Sequence, residues 1–211
     1  FDLAVDAVQQ KLKRRCVAGE FAYILSSPPC NTWTRVLFAN NMGPKPVRDA
    51  HFVWGYPWNY GEQIERCKVG NILVKFTLDL FASLSSTICP ATGVRPCIWM
   101  EHPEDLGKLR NKENHKLYEP AAIWQLSDTR NLEPDLPGVY TVAFYQCQFG
   151  TDYSKPTRVL TDVPGFERWG ELGWPVKEDG WYQGPLSLGC GHSHHKSLAK
   201  QYWWESYRTE G

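Results

Sequence analysis

The sequence has no excess of charge of either sign and no long hydrophobic run. Among its 211 residues, 23 lysines and arginines balance 23 aspartates and glutamates. No global positive field therefore attracts polyanions, and any contact with nucleic acid must come from local clusters. No segment approaches the roughly 20 consecutive apolar residues of a membrane helix. No charged stretch followed by a cleavable apolar core stands near Phe1, so a membrane or secretory role is not expected.

The cysteine pattern does not fit the disulfide framework of a small secreted protein. The seven cysteines are an odd number and are spread along the whole chain, which predicts reduced thiols. We therefore expect an intracellular, reducing compartment, either the nucleus or the cytoplasm. Because the first residue is Phe1 rather than methionine, we also expect a piece of a longer protein.

The composition is that of a folded protein. Hydrophobic residues make up 42% of the chain and charged residues 22%, as in ordinary soluble globular domains. The length fits one domain, or one domain with a small appendage. We expect a catalytic portion over residues 1–162 and a loop-rich C-terminal extension over residues 163–211 that packs on it.

Hydrophobic patterning predicts an α/β fold with a mostly parallel sheet. Short, continuous apolar runs such as Phe21–Leu25 suit strands that are buried on both faces of a parallel sheet. The spacing of apolar residues from Ile64 to Ser85 is typical of a long amphipathic helix. The other predicted elements are a helix over Asp2–Cys16, a long mobile loop over residues 39–62, strands over Val94–Met100 and Tyr140–Tyr145, and a hairpin partner over Thr157–Leu160.

Two of the predicted strands end in residues that can do chemistry. The first leads into Ser26-Ser27-Pro28-Pro29-Cys30, and the second leads into Glu101-His102-Pro103. Because sites in α/β proteins form at the carboxyl ends of strands, we expect the Cys30 thiol and the Glu101 carboxyl group to meet. A thiolate that attacks C6 of a pyrimidine and an acid that assists at N3 make C5 nucleophilic enough to take a methyl group.

These segments resemble the cytosine-C5 DNA methyltransferase family. The family's nucleophile motif Pro-Cys-Gln-x-Phe-Ser is similar to Pro29-Cys30-Asn31-Thr32-Trp33-Thr34, and its Glu-Asn-Val or Glu-Asn-Pro motif is similar to Glu101-His102-Pro103. Gly70-Asn71-Ile72-Leu73 looks like the Gly-Asn-x-Leu segment that opens the helix between them. In place of the family's Gln-x-Arg-x-Arg strand stand Gln146-Cys147-Gln148-Phe149-Gly150 and Lys155-Pro156-Thr157-Arg158, a variant that looks like divergent methylases of phages and mobile elements. The resemblance covers roughly residues 2–162.

The resemblance implies a class I methyltransferase (Rossmann-like) fold and C5 methylation of a cytosine extruded from DNA. It makes Cys30 the nucleophile, Glu101 the acid and Arg158 an orienting group. The substrate-binding residues that it implies are Pro29, Asn31, Thr34 and Lys155. The family's glycine-rich loop for S-adenosylmethionine has no counterpart before Tyr23 or downstream. The donor would therefore be bound mainly by residues outside this chain, in an upstream or separate half.

A second group of residues has the chemistry of a metal site. The segment Cys190-Gly191-His192-Ser193-His194-His195 offers thiol and imidazole ligands in close sequence. Together with Cys147 it would complete a tetrahedral zinc site that staples the C-terminal extension to the strand before Cys147. The candidate ligands are Cys147, Cys190, His192 and His195.

Each assignment has a structural alternative. Cys30 can be a buried structural thiol, Glu101 a surface or capping carboxylate, and Arg158 a solvated arginine. Cations of the long loop, among them Arg48, are candidates to close over an extruded base, or they are simply solvated. For the whole chain, the alternatives are a catalytically inactive methyltransferase-like module for nucleic-acid binding or assembly, and a zinc-stapled binding protein.

Overall fold

A computed structural model describes residues 2–41 and 43–193 of the chain, and its architecture is α/β. The helices are α1 (Asp6–Val17), α2 (Val36–Ala39), α3 (Glu62–Ala82) and α4 (Ser127–Asp135). The strands are β1 (Tyr23–Ser26), β2 (Cys97–Pro103), β3 (Leu109–Arg110), β4 (Leu117–Tyr118), β5 (Tyr140–Tyr145), β6 (Pro156–Thr161), β7 (Glu171–Leu172), β8 (Val176–Glu178) and β9 (Trp181–Gly184). Within the described ranges, no helix combines the length and the apolar character needed to cross a membrane.

Among the described residues, the main sheet has five strands in the order β1-β2-β6-β5-β7. In this part of the chain only β1 and β2 pair in parallel, and the other three pairings are antiparallel. The prediction of a mostly parallel sheet is therefore wrong. Because β6 pairs antiparallel with both of its neighbours, β1, β2 and β5 still run in one direction, with β6 inserted between β2 and β5. Continuous apolar runs predict burial on both faces, but they do not report the direction of the neighbouring strand.

Apolar side chains cover both faces of this sheet. On one face, Ile98 and Met100 of β2 belong to a cluster that includes Val74 and Phe81 of α3. On the other face, Val142 and Val159 pack with each other and with the half-buried Phe166. Fully burying one such side chain contributes roughly 1.5–3 kcal/mol. The core therefore holds the strand ends in fixed positions on both sides of the sheet.

Several local predictions are confirmed. Helix α3 covers most of the predicted Ile64–Ser85 segment, and α1 begins four residues later than predicted but ends one residue beyond Cys16 with Arg14 and Arg15 in its last turn. Strand β5 has the predicted bounds, and β6 is its antiparallel partner, as expected of a hairpin. These segments carry their signal locally, in apolar periodicity and turn residues.

The loop between α2 and α3 is anchored to the protein interior by Arg48, which is fully buried. The Arg48 guanidinium donates hydrogen bonds to the Asn71 side-chain oxygen (2.7 Å) and to the Cys67 carbonyl (3.1 Å). It also stacks on the Trp33 ring, 3.9 Å from the ring centre. Arg48 therefore ties the loop to α3 and does not face solvent as a cation for a DNA backbone.

The Gly-Asn pair of the resemblance lies inside α3 rather than at its start. Gly70 is buried, and a Cβ atom there would lie 3.0 Å from the Thr32 hydroxyl and 3.4 Å from both Arg48 and Trp33. Asn71 donates a hydrogen bond to the Trp54 carbonyl (2.7 Å). The segment therefore brings the chain after Cys30 against α3.

The C-terminal extension is part of the same packing. Strand β7 joins the main sheet beside β5, and β8 and β9 form a hairpin of their own. Tyr182 of β9 packs in a cluster with Ala143 and Tyr145 of β5. The described part of the extension is loop-rich, as predicted, while the division of the chain at residue 162 stays a prediction.

Candidate functional site

The parallel pairing of β1 and β2 brings the two predicted catalytic segments together. Ser26, the last residue of β1, lies opposite Met100, so Glu101 is the next residue along β2. The chain leaves β1 through Ser27 and reaches Cys30 within four residues. The carboxyl ends of parallel strands lie at the same edge of a sheet, where sites of α/β proteins form. The predicted meeting of these two segments is therefore present in the fold.

Both carboxylate oxygens of Glu101 have a partner. The Ser27 hydroxyl donates a hydrogen bond of 2.7 Å to one oxygen, and the Lys155 ammonium lies 3.0 Å from the other. The Glu101 and Lys155 side chains are 19% and 20% exposed, so the pair is shielded but still reachable from solvent. These contacts hold the carboxylate in one orientation at the mouth of the site.

Cys30 lies half-buried beside this ion pair. Burial raises the pKa of its thiol, Lys155 lowers that pKa, and Glu101 raises it. Because the balance is upward, the thiol is protonated at neutral pH in this conformation. The thiolate is the nucleophile of cysteine chemistry, so Lys155 is the charge in this cluster that favours the reactive form.

This arrangement predicts opposite effects of two substitutions on Cys30. Lys155→Met removes the charge that lowers the Cys30 pKa, so alkylation of Cys30 by iodoacetamide at neutral pH should slow several-fold. Glu101→Gln removes the charge that raises the pKa, so alkylation should accelerate. Peptide mapping by mass spectrometry over a pH series measures both shifts. Equal pH profiles in the two variants would show that neither charge acts on the thiol.

The remaining predicted substrate-binding residues lie around Cys30. Pro29 and Asn31 are exposed, and Thr34 is half-buried, with its hydroxyl accepting a hydrogen bond from the Val36 backbone (3.4 Å). The Cys30 carbonyl accepts a hydrogen bond of 2.9 Å from the Trp33 backbone, which closes a turn after the cysteine. This turn presents Asn31 outward on the same short segment as the thiol.

Arg158 occupies a different place from the one the resemblance implies. Its side chain is fully buried and forms a two-point ion pair with Glu104, with distances of 2.6 and 2.8 Å. It also donates hydrogen bonds to the Thr141 hydroxyl (2.6 Å) and to the Gly173 carbonyl. All three of its side-chain nitrogen atoms are therefore engaged inside the protein. In this conformation Arg158 is a structural ion-pair partner and does not reach a substrate at Cys30.

His102 lies on the opposite face of β2 from Glu101, because successive strand side chains alternate. Its ring is 1% exposed and packs edge-on against Trp124, with ring centres 6.4 Å apart. Within the described residues, neither ring nitrogen has a hydrogen-bond partner. Burial, with contributions from Lys155 and Arg48, lowers the pKa of His102 to about 3. The ring is therefore neutral at physiological pH and belongs to the core.

Sequence reasoning missed several members of the site and its support. Ser27 was part of a recognised motif, but its hydrogen bond to Glu101 follows from strand register, which the sequence does not state. Nothing in the sequence predicted a role for Glu104 or Tyr182, yet the Tyr182 hydroxyl donates a hydrogen bond of 2.9 Å to the Glu104 carboxylate. Two acids in the short segment Glu101–Glu104 offered a hint, because buried carboxylates require cationic partners.

A separate cluster of thiol and imidazole groups lies after β5. The Cys147 and Cys190 sulfur atoms and a His192 ring nitrogen are all within 4.8 Å of one another. The Cys147 sulfur lies 3.4 Å from His192 Nδ1. These are three of the four predicted zinc ligands. The fourth, His195, lies outside the described residues.

Comparison with known proteins does not assign this site. No protein-family model matches the chain, and neither the curated proteins nor the solved structures contain a significant match.

Proposed function

We propose that this chain is the catalytic portion of a cytosine-C5-type DNA methyltransferase, with Cys30 as the nucleophile and Glu101 as the acid. The observation that supports it is the convergence of these two groups and Lys155 at the carboxyl ends of the paired strands β1 and β2. Two residues 71 positions apart in the chain meet there beside a half-exposed surface. A thiol, a carboxylic acid and a cation are the groups that addition to a pyrimidine ring requires, and here the Lys155–Glu101 ion pair is close enough to influence the thiol electrostatically.

The chemistry follows from these groups. The Cys30 proton passes to solvent water, and the resulting thiolate forms a bond to C6 of a cytosine extruded from the duplex. Glu101 hydrogen-bonds or protonates N3, which takes up the electron pair of the C5–C6 double bond through the ring and makes C5 nucleophilic. A bound S-adenosylmethionine would supply the electrophilic methyl group for C5 and leave as S-adenosylhomocysteine. Transfer of the C5 proton to water then lets the sulfur leave C6 as a thiolate, and the N3 proton returns to Glu101, which restores the ring.

The resting contacts set two requirements for this reaction. The Lys155 ammonium must share Glu101 with the base or move away from it, because it occupies one of the carboxylate oxygens. Glu101 must also gain a proton to act as an acid at N3. The nearby ammonium group stabilises the thiolate once the Cys30 proton has left. Lys155 therefore acts on both groups, because it pairs with the Glu101 carboxylate and favours the thiolate form of Cys30.

The edge of the sheet supports a donor half outside this chain. In the described structure β1 has a neighbour on one side only, so its other side presents unpaired backbone groups. Tyr23 and Leu25 of β1 are 61% and 70% exposed. A groove of about 570 Å³ runs beside them and reaches Pro29. A donor-binding half that pairs with this edge would lie next to Cys30.

Covalent trapping tests the nucleophile. A duplex with 2-pyrimidinone at one position carries a ring that adds a thiol at C6 without methyl transfer, so the probe needs no donor. We expect a protein–DNA adduct that Cys30→Ser abolishes and that Glu101→Gln reduces by roughly 10²- to 10⁴-fold in rate. The matched control is Cys97→Ser, because Cys97 is also a half-buried thiol near β1. An adduct that forms equally well in Cys30→Ser would overturn the proposal.

The second candidate is a catalytically inactive methyltransferase-like module that binds DNA. Two observations favour it. The pKa of the Cys30 thiol is raised, so the thiol is protonated at rest, and both oxygens of the Glu101 carboxylate already have partners in Ser27 and Lys155. The 2-pyrimidinone duplex distinguishes the two, because its adduct needs the nucleophile but no methyl donor. Binding of the duplex that is unchanged by Cys30→Ser, with no adduct, would support the inactive module.

A further inference from the structure

We propose that Cys147, Cys190 and His192 bind one structural zinc ion that fastens the chain after β9 to the carboxyl end of β5. The inference does not depend on methyl transfer, because none of the three residues takes part in the proposed reaction. Three of the ligands predicted from the sequence lie together in the structure, with the Cys147 and Cys190 sulfur atoms and a His192 ring nitrogen as the ligand atoms. Zinc is the metal that such a mixture of thiols and imidazole prefers in structural sites.

The ligand atoms already have nearly the spacing of a zinc site. With zinc–sulfur bonds of about 2.3 Å and zinc–nitrogen bonds of about 2.0–2.1 Å, tetrahedral ligand atoms lie about 3.5–3.8 Å apart. The Cys147 sulfur and His192 Nδ1 are 3.4 Å apart, and no pair in the group exceeds 4.8 Å. Small side-chain rotations therefore suffice to close the three ligands on one ion.

Backbone geometry aims the ligands at one point. Cys147 lies in a single helical turn over Gln146–Phe149, directly after β5. Gly191, between the two other ligands, has a φ of +80°, a conformation that residues with a Cβ atom rarely adopt. This left-handed residue turns the chain so that the side chains of Cys190 and His192 approach the same turn after β5.

Other contacts hold the two segments together independently of the ligands. The Tyr145 hydroxyl donates a hydrogen bond of 2.7 Å to the Ser187 carbonyl. Leu186 packs in a buried cluster with Tyr145 and Tyr182. The ligands are therefore brought close by packing of the surrounding chain, which lowers the entropy cost of assembling the site around an ion.

A tetrahedral zinc site needs a fourth ligand besides these three side chains. A water molecule can supply it, and the two thiols would give up their protons when the ion binds.

The site would also influence the proposed catalytic cluster. The Gln146 backbone N–H donates a hydrogen bond of 3.0 Å to the Lys155 carbonyl, so the turn that holds Cys147 is joined to the segment that holds Lys155. Lys155 in turn pairs with Glu101. A metal at Cys147 therefore fixes the backbone from which the Lys155 ammonium projects.

Metal titration of the full chain tests the inference. Protein stripped with a chelator under reducing conditions should take up one Zn²⁺ per chain, and Co²⁺ in its place should show sulfur-to-cobalt charge-transfer absorption. Cys147→Ser, Cys190→Ser and His192→Ala should each weaken binding at least about tenfold, and Zn²⁺ should raise the melting temperature of the wild type. Cys97→Ser is the control and should bind Zn²⁺ as the wild type does. Because His192 is exposed, its replacement leaves the fold intact and keeps the comparison interpretable.

Three results would overturn the inference. The first is a wild-type chain that takes up no Zn²⁺ at micromolar concentration. The second is a loss of binding in Cys97→Ser as large as that in Cys147→Ser. The third is a disulfide between Cys147 and Cys190 that resists treatment with a reducing agent, because it would remove both thiol ligands.

Discussion

Replacing Arg158 by methionine is expected to lower the free energy of unfolding by about 3–5 kcal/mol. The substitution leaves the Glu104 carboxylate, which is as fully buried as Arg158, without its cationic partner. The Thr141 hydroxyl and the Gly173 carbonyl lose their partner as well. The cost arises because an uncompensated charge and unpaired polar groups are left away from water. Urea denaturation followed by tryptophan fluorescence measures it.

Two further variants make this result specific. Arg168→Met is the matched control, because Arg168 is exposed and its loss should change stability by no more than about 0.5 kcal/mol. The double variant Arg158→Met with Glu104→Gln should recover part of the loss, because the buried charge is gone. If Arg158→Met retained wild-type stability but weakened DNA binding, the guanidinium would serve the substrate, as the resemblance implies, and the structural role would be wrong.

The second large effect is on the pH dependence of stability, through His102. Its pKa is about 3 in the folded chain against 6.5 for the unperturbed group, so the unfolded chain binds the proton first as pH falls. The stability that neutral His102 contributes is complete above about pH 6.5 and is lost progressively down to about pH 3. Between those values each pH unit removes about 1.4 kcal/mol.

The variant His102→Asn tests this dependence, because asparagine does not titrate. Its stability should fall less steeply than that of the wild type between pH 6.5 and pH 4, whatever its stability at pH 8. His51→Asn is the control, because His51 is exposed in the loop before α3, and it should keep the wild-type slope. Parallel slopes for the wild type and His102→Asn would show that His102 is not the group that titrates.

The catalytic pair and the buried pair differ in how far the sequence predicts them. Cys30 follows β1 and Glu101 lies near the end of β2, so local patterning predicts their shared edge. The prediction that the Phe21–Leu25 run is buried on both faces is wrong, because Tyr23 and Leu25 are 61% and 70% exposed, and β2 continues past Glu101 to Pro103. Arg158 lies in an equally well predicted hairpin strand, but the face of the sheet that it occupies depends on register. A shift of one residue would have moved it to the face of Glu101, because side chains alternate along a strand.

The same alternation explains His102. The motif Glu101-His102-Pro103 was interpreted as a unit, yet in a strand two adjacent side chains cannot both face one site. The structure directs Glu101 to the rim with Lys155 and directs His102 to the core with Trp124. A strand interpretation of the motif from the outset would have separated the two roles.

By itself, the sequence determined α1, α3, β1, β5 and β6 to within a few residues, and it placed a thiol and a carboxylate near the ends of two neighbouring strands, because those properties depend on residues close together in the chain. It did not predict α4 or the strands β7, β8 and β9. Only the tertiary structure decided that β6 lies between β2 and β5, that Arg158 pairs with Glu104, and that Lys155 lies beside Glu101. These features depend on register and on contacts between residues 54 positions apart. Such contacts form only when the whole sheet is packed against its helices, so they cannot be predicted from short stretches of sequence.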